Sequence, residues 1–204
     1  MISKITITNV SGRPGEDSAA IGIAAYISER IIIRDTNIEN INSRDLAAGI
    51  FLFSTTGTIL RSNISDIIST NQSAVGIFIL GPSGPGGVKI CNTNVNRVTG
   101  AVDTIGIYYL SFDPNENSTG LIKNITVTDI TSSVLNEDSL TAGIASVNMK
   151  DFVRLDSTVN RVRGRSSDVF ESAEIYGFYS RLTNGELTRC FESNIGVLIQ
   201  PPIT

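Results

Sequence analysis

A short apolar motif centred on glycine recurs along the chain and predicts a repeat structure built from β-strands. In each copy, which we call the Gly motif, a glycine lies between a small or apolar residue and a large apolar one. The seven copies are Ile21-Gly22-Ile23, Ala48-Gly49-Ile50, Val75-Gly76-Ile77, Ile105-Gly106-Ile107, Ala142-Gly143-Ile144, Tyr176-Gly177-Phe178 and Ile195-Gly196-Val197.

A second motif, which we call the corner motif, places two polar residues between two apolar ones and falls between successive Gly motifs. Its copies are Ile7–Val10, Ile38–Ile41, Ile64–Ile67, Val95–Val98, Val127–Ile130 and Val159–Val162, with a looser version after Phe191. Successive copies begin 31, 26, 31, 32 and 32 residues apart. A nearly fixed period of this size, carried by strand-like units, indicates a repeat architecture.

The segments between the motifs vary in length, whereas the motif strands do not. The many Val and Ile residues, beside Asn, Ser, Thr and Gly, favour strands joined by turns. Constant strands with variable loops at fixed places are typical of a β-solenoid. We therefore expect one domain over residues 1–204, with half-rungs at 1–10 and 195–200.

The succession of a Gly-motif strand, a turn and an Asn-Val-x-x-Val corner resembles the right-handed parallel β-helix of the pectin-lyase-like superfamily, including its NosD-type repeats. The resemblance implies an all-β fold, a single-stranded right-handed parallel β-helix of about seven rungs. That superfamily contains polysaccharide lyases, hydrolases, phage tailspikes and purely structural proteins, so fold alone does not name a function. We expect a non-enzymatic member.

Stacking the Gly motifs predicts which residues face the core. If the large apolar residue of each motif points inward, strand alternation directs the glycines outward. A row of apolar side chains would then lie on the same outer face: Tyr26, Phe51, Phe53, Phe78, Leu80, Tyr108, Leu110 and Tyr179. A sheet that is apolar on both faces is usually covered on both sides. Three interpretations are open: the chain's own loops cover this row, a neighbouring subunit packs on it, or it forms a groove that stacks sugars.

The corner motif predicts a column of alternating charge on the surface. Its second polar position is occupied in four successive repeats by Asp66, Arg97, Asp129 and Arg161. If adjacent repeats are in register, each neighbouring pair is a cross-strand contact that contributes about 0.2–1 kcal/mol. We interpret these aspartates as structural.

The residues offer little chemistry for catalysis. The chain has no histidine, which excludes His-based triads and His metal sites; polygalacturonase-like enzymes of the resembled fold carry a His motif that cannot be present here. The acidic pairs Asp113 with Glu116 and Glu137 with Asp138 lie in loops, and nothing pairs them with a partner group. We expect no enzymatic activity, no catalytic residue, no metal site and no cofactor.

The two cysteines, Cys91 and Cys190, lie about three repeats apart. At about 4.8 Å per repeat they would be about 14 Å from each other, too far for a disulfide. We expect both to be buried or free thiols.

Charge and hydropathy restrict partners and location. The net charge of −4 and the scattered Lys and Arg residues argue against nucleic acid. No secretory signal is recognisable at the N-terminus, and no apolar run approaches 18 residues, so we expect no membrane span. We expect synthesis in the cytoplasm and a final place in an extracellular or particle-surface assembly.

The ends of the chain suggest a way to assemble. The chain starts in a corner-motif strand and stops after a Gly motif, so a head-to-tail neighbour would complete one rung. That interface would be formed by Ile5, Ile7, Val10, Gly196, Val197, Leu198 and Ile199. Pro201-Pro202 would instead block the C-terminal edge, because proline donates no ladder hydrogen bond.

These observations lead to one functional hypothesis and two alternatives. We expect a structural, self-assembling subunit of a fibre, coat or shell, as on a spore or virion, that forms a homo-polymer or homo-oligomer. The first alternative is a glycan-binding or glycan-cleaving module similar to a tailspike. The second is an accessory scaffold whose apolar sheet packs laterally on another protein.

Overall fold

The chain folds into a parallel β-solenoid. The computed structural model describes residues 1–12, 18–81, 87–112, 118–133, 139–166, 174–181, 183 and 185–199. The strands, in chain order, are β1 (Ile2–Ser3), β2 (Thr6–Ser11), β3 (Ala19–Tyr26), β4 (Ile31–Arg34), β5 (Asn37–Ser43), β6 (Leu46–Phe53), β7 (Gly57–Leu60), β8 (Asn63–Ser69), β9 (Ala74–Leu80), β10 (Val88–Gly100), β11 (Thr104–Leu110), β12 (Thr119–Ser132), β13 (Leu140–Val147), β14 (Asp151–Leu155), β15 (Thr158–Ser166), β16 (Glu174–Arg181), β17 (Gly185–Thr188) and β18 (Phe191–Ile199).

Each coil has three sides, one more than the two motifs predict. The Gly motifs stack in a six-stranded parallel sheet, the Gly sheet, formed by β3, β6, β9, β11, β13 and β16. The corner motifs stack in a second column, the corner column, formed by β2, β5, β8, β15, β18 and the second halves of β10 and β12. A third column contains β1, β4, β7, β14, β17 and the first halves of β10 and β12.

The number of coils is lower than the motif count predicts. Six strands stack in the Gly sheet, and the solenoid has about five turns. The seventh Gly motif was assigned wrongly, because Gly196 lies on β18 and pairs with Arg163 of the corner column. The looser corner motif after Phe191 occupies that strand, so residues 195–199 are not a half-rung of the Gly sheet.

Large aliphatic residues fill the interior from all three sides. The large residues of the Gly motifs point inward, and Ile50, Ile77, Ile107 and Ile144 are fully buried. The apolar positions of the corner motif meet them from the second side, as Val95 and Val98 do in the central coil. In the third column, Ile33, Ile59, Ile90 and Ile122 stack as a buried ladder. Interiors packed in this way lose stability when any one layer is altered.

The glycines of the Gly motif face the core, and the prediction that they face outward was wrong. A Cβ placed on Gly106 would lie 2.5 Å from Val127 Cγ1 of the corner column and 2.5 Å from the carbonyl oxygen of Gly143 in the next coil. The residue after each glycine also points inward, so strict alternation is broken at this point of the strand. Glycine is required because the Gly sheet and the corner column approach each other too closely for any side chain.

The corners depend on left-handed backbone conformations. The second polar residue of the corner motif has a φ of 55–59° in every coil, at Asn9, Asn40, Asp66, Arg97, Asp129, Arg161 and Asn194. Five residues earlier, a second series has a φ of 47–54°: Lys4, Asp35, Arg61, Asn92, Asn124, Asp156 and Arg189. Asn and Asp adopt this conformation most easily among non-glycine residues, which explains their abundance here.

The inward glycine column can be tested by one substitution. We expect Gly106→Ala to lower the free energy of unfolding by about 1–3 kcal/mol, because the added methyl group overpacks the contact with Val127. Chemical denaturation monitored by circular dichroism measures this change. The matched control is Gly196→Ala, where a Cβ would meet nothing within 4 Å. Equal stability losses for the two variants would contradict the inward assignment.

Candidate functional site

The four charged residues of the corner motif lie in one column but pair two by two. Arg97 Nε donates to Asp66 Oδ1 at 2.5 Å, and Arg161 forms the same bidentate pair with Asp129. The arginine hydrogen bonds lower the pKa of both aspartates. Between the two pairs, Asp129 acts on Arg97 only through its charge.

A second charge ladder was missed in the sequence. Arg61 pairs with Asp35, with Nε and Oδ1 2.7 Å apart, and Arg189 pairs with Asp156. Between these two ion pairs in the ladder, the side-chain amide of Asn124 donates a hydrogen bond to Asn92 Oδ1 at 2.6 Å. The signal was present, because each of these residues lies five positions before the second polar residue of a corner motif. Both ladders fix the register of adjacent coils and show no sign of a reactive centre.

The apolar row lies on the outer face of the Gly sheet in two parallel columns. Phe51, Phe78 and Tyr108 contact one another, with ring centroids 5.4 and 5.2 Å apart. Phe53, Leu80 and Leu110 stack beside them. Ala145 separates these rings from Tyr179 in the next coil.

Exposure varies strongly along this row. Phe51 is 9% exposed, whereas Tyr26 at the N-terminal end is 58% exposed. Burial raises the pKa of Tyr108 to about 12. Phe51, Phe78 and Tyr108 therefore cover one another, whereas Tyr26, at the first coil of the Gly sheet, leaves most of its ring accessible.

The residues predicted to form an end-to-end interface lie in the corner column, except Ile5, which directly precedes β2. Ile7 and Val10 pack partly against the core, while Ile5 is 41% exposed. Gly196 is on β18, at the opposite end of the same column from β2. The side chains of Val197, Leu198 and Ile199 and the segment Pro201-Pro202 are outside the described residues.

An arginine lies inside the solenoid at a position where the earlier coils have isoleucine. Arg154 stacks between Ile122 and Leu187 in the third column and is 6% exposed. Its Nη2 donates to the hydroxyl of Ser146 and, at 2.5 Å, to the hydroxyl of Ser180. The guanidinium carbon lies 4.8 Å from the centre of the Phe152 ring. Burial lowers the pKa of Arg154 to about 10.

Arg154 borders a cavity of about 570 Å³ at the C-terminal end of the described solenoid. Apolar walls are provided by Phe152, Phe178 and Leu187, and hydroxyl groups by Ser180 and Thr183. The Nε atom of Arg154 is buried without a hydrogen-bond partner among the described residues, and no carboxylate there forms an ion pair with its guanidinium.

The sequence contained the signal for this buried charge. Arg154 follows Ile122 by 32 residues, and Ile122 follows Ile90 by 32 residues, which is the local period of the corner motif. Recognising the third column would have shown that Arg154 occupies a core position. The serines were equally hidden, because Ser146 and Ser180 continue the inward positions of Ile79 and Tyr109.

Other candidate chemistry is limited in the part of the chain that is described. No group of three or more Cys, Asp or Glu residues there could hold a metal ion. The acidic pairs Asp113 with Glu116 and Glu137 with Asp138 are outside the described residues. Cys91 and Cys190 are free thiols. No helix among the described residues is long and apolar enough to cross a membrane.

The ion pairs of the ladders predict a loss of stability in acid. The folded-state pKa values of Asp66 and Asp129 lie below the ordinary 3.8, so their contribution is complete above that pH and is lost as the pH falls through the folded values. In the double variant Asp66→Asn, Asp129→Asn, we expect the melting temperature to fall less steeply as the pH drops below about 4. Thermal melts between pH 2 and pH 7 measure this slope, and an unchanged slope would contradict the assignment.

The buried charge of Arg154 predicts a stabilising substitution. We expect Arg154→Met to raise the free energy of unfolding by about 1–4 kcal/mol, because an apolar chain fits between Ile122 and Leu187 without desolvating a charge. The control is Lys123→Met, which removes the same charge from an exposed position and should change stability by about 0.5 kcal/mol or less. Destabilisation by Arg154→Met would show that the guanidinium contacts outweigh the cost of burying the charge.

No protein-family model, curated protein or solved structure matches this chain. The structure is a parallel β-solenoid with two surface charge ladders, the apolar row on the Gly sheet and, beside a cavity, the buried Arg154, which pairs with no carboxylate among the described residues.

Proposed function

We propose that the chain is a structural subunit that assembles end to end into a fibre, coat or shell. We also propose that its solenoid is right-handed and belongs with the pectin-lyase-like β-helices, as the motif pattern and the handedness of parallel crossovers favour. The carrying observation is the position of the exposed apolar side chains.

Exposed large apolar residues are concentrated at the two ends of the described solenoid. Five belong to the first coils and three to the last: Met1, Ile5, Tyr26, Ile27 and Ile32, and Tyr176, Leu187 and Phe191. Among the described residues of the central coils, Ile68 and Phe112 are the large apolar residues with similar exposure. Apolar surface in this arrangement favours contact between coils of different copies.

The strand edges at the two ends are compatible with each other. Among the described strands, β16, β17 and β18 pair only with the preceding coil, while β1, β2 and β3 pair only with the following coil. A second copy placed in continuing register would set its Ile2 on Leu187 and its β2 on β18, and its β3 would then lie two strand spacings from β16. The third column and the corner column would then continue across the junction, whereas the Gly sheet would lack one strand there, because it has six described strands and each of the other columns has seven.

This stacking differs from the rung completion that the sequence suggested. Because Gly196 and Ile7 lie in the same column, they cannot be complementary parts of one rung. A neighbouring copy would therefore stack on β17 and β18, the last described strands of the third column and of the corner column. In these two columns the interface has the geometry of one coil on the next within the subunit, and it is a heterologous contact that does not close.

Two polar features of the junction set its strength. Glu192 occupies an inward corner-motif position and accepts a hydrogen bond from the Phe178 backbone N–H at 3.2 Å. In continuing register, Lys4 of the next copy would lie beside Arg189, which places like charges next to each other. The proposed contact is therefore weaker than the contact between two internal coils.

The Lys4–Arg189 junction provides a test in which assembly increases. We expect Lys4→Glu to lower the concentration at which assemblies form by about two- to fivefold, because an exposed ion pair replaces a repulsion. Light scattering over a concentration series and negative-stain electron microscopy measure this change. The control Lys89→Glu makes the same charge change at an exposed site of a central coil and should leave assembly unaltered.

A charge placed in the junction should have the opposite effect. Leu187→Lys is expected to abolish assembly while the solenoid stays folded, since Leu187 is 56% exposed in the single subunit. A monodisperse monomer in all of these proteins, including Lys4→Glu at high concentration, would contradict end-to-end stacking. Assembly that is indifferent to Leu187→Lys and Lys4→Glu would place the interface elsewhere.

A further inference from the structure

We propose that the cavity beside Arg154 binds a small organic carboxylate, whose charge is held by the buried guanidinium and whose apolar body lies between Phe178 and Leu187. The site is formed within one subunit by β14, β16 and β17, and its wall residue Leu187 also faces the proposed junction, so binding is tested on the monomer.

Burying the positive charge of Arg154 costs free energy on folding. A side chain that is 6% exposed, in a column of buried isoleucines, must desolvate its guanidinium on folding. Buried arginines are normally paired with a carboxylate. Here the described partners are the hydroxyls of Ser146 and Ser180 and the carbonyl of Tyr179, which carry no compensating charge.

The surrounding coils show that nothing in the fold requires an arginine at this position. The same column is filled by Ile33, Ile59, Ile90 and Ile122 in the earlier coils. The two serines that contact Arg154 likewise replace larger inward residues. This replacement of large apolar side chains by one cation and small hydroxyls creates both the space and the charge of the cavity.

The lining of the cavity indicates the class of ligand. Phe152, Phe178 and Leu187 form apolar walls, and the polar groups include the guanidinium of Arg154 and the hydroxyls of Ser180 and Thr183. Tyr176, Tyr179 and Glu186 also line the cavity. A single cation with neutral donors matches one negative charge, and the planar guanidinium fork matches a carboxylate. Glu186 borders the cavity but is exposed and accepts from the Thr188 hydroxyl at 2.5 Å.

The probe for this site is benzoate, with benzamide as a neutral molecule of the same shape. Isothermal titration calorimetry on the full chain, at a concentration where it is monomeric, measures both affinities. We expect benzoate to bind and benzamide to bind at least tenfold more weakly. Arg154→Met should weaken benzoate binding by roughly 10- to 100-fold, the effect of losing a hydrogen bond to a charged group.

Two further variants keep the test decisive. Lys123→Met removes an exposed positive charge one coil away and should leave the benzoate affinity unchanged. Arg154→Lys keeps the charge and should retain part of the affinity even if Arg154→Met alters the fold. The proposal is overturned if benzoate fails to bind at millimolar concentration, if benzamide binds equally well, or if Arg154→Met binds benzoate as tightly as the original chain.

Discussion

The close approach of the Gly sheet to the corner column is the constraint on which the rest of the solenoid depends. At Gly106 there is no room for a Cβ between Val127 and the next coil's backbone. Because the same contact recurs at Gly22, Gly49, Gly76 and Gly143, the two sides stay equally close along the axis. This constant cross-section is required by the ladders of inward isoleucines, by the ion pairs and by the apolar row.

Much of the fold could be predicted because the same residue types recur at equivalent positions of each repeat. Period, parallel stacking and the column containing Asp66 and Arg97 follow from counting residues between corner motifs. The inward direction of the glycines could not be predicted, because strand alternation assumes an unbroken pleat and Gly106 and Ile107 both direct toward the core. The misassignment of Gly196 had a related cause: three residues are too few to separate a Gly motif from the end of a corner strand.

The candidate sites were less predictable than the fold, because they consist of departures from the repeat. Arg154 is recognised as a core residue only when it is aligned with Ile122, in a column that the two motifs do not reveal. The last coils also replace inward apolar residues with Ser180 and Glu192, so the interior becomes polar toward the C-terminal end. A cavity with an uncompensated cation is the consequence of these replacements, and stability is lower than an all-aliphatic column would give.

The interior of the solenoid repeats from coil to coil, whereas its ends depart from the repeat. We propose that coils at the end of one copy stack on coils of the next. X-ray fibre diffraction of oriented assemblies tests this claim most directly. The account predicts a sharp reflection at about 4.8 Å on the meridian, because the spacing between strands would run along the fibre axis. The same reflection on the equator would show that subunits pack side by side through the apolar row, and would contradict end-to-end stacking.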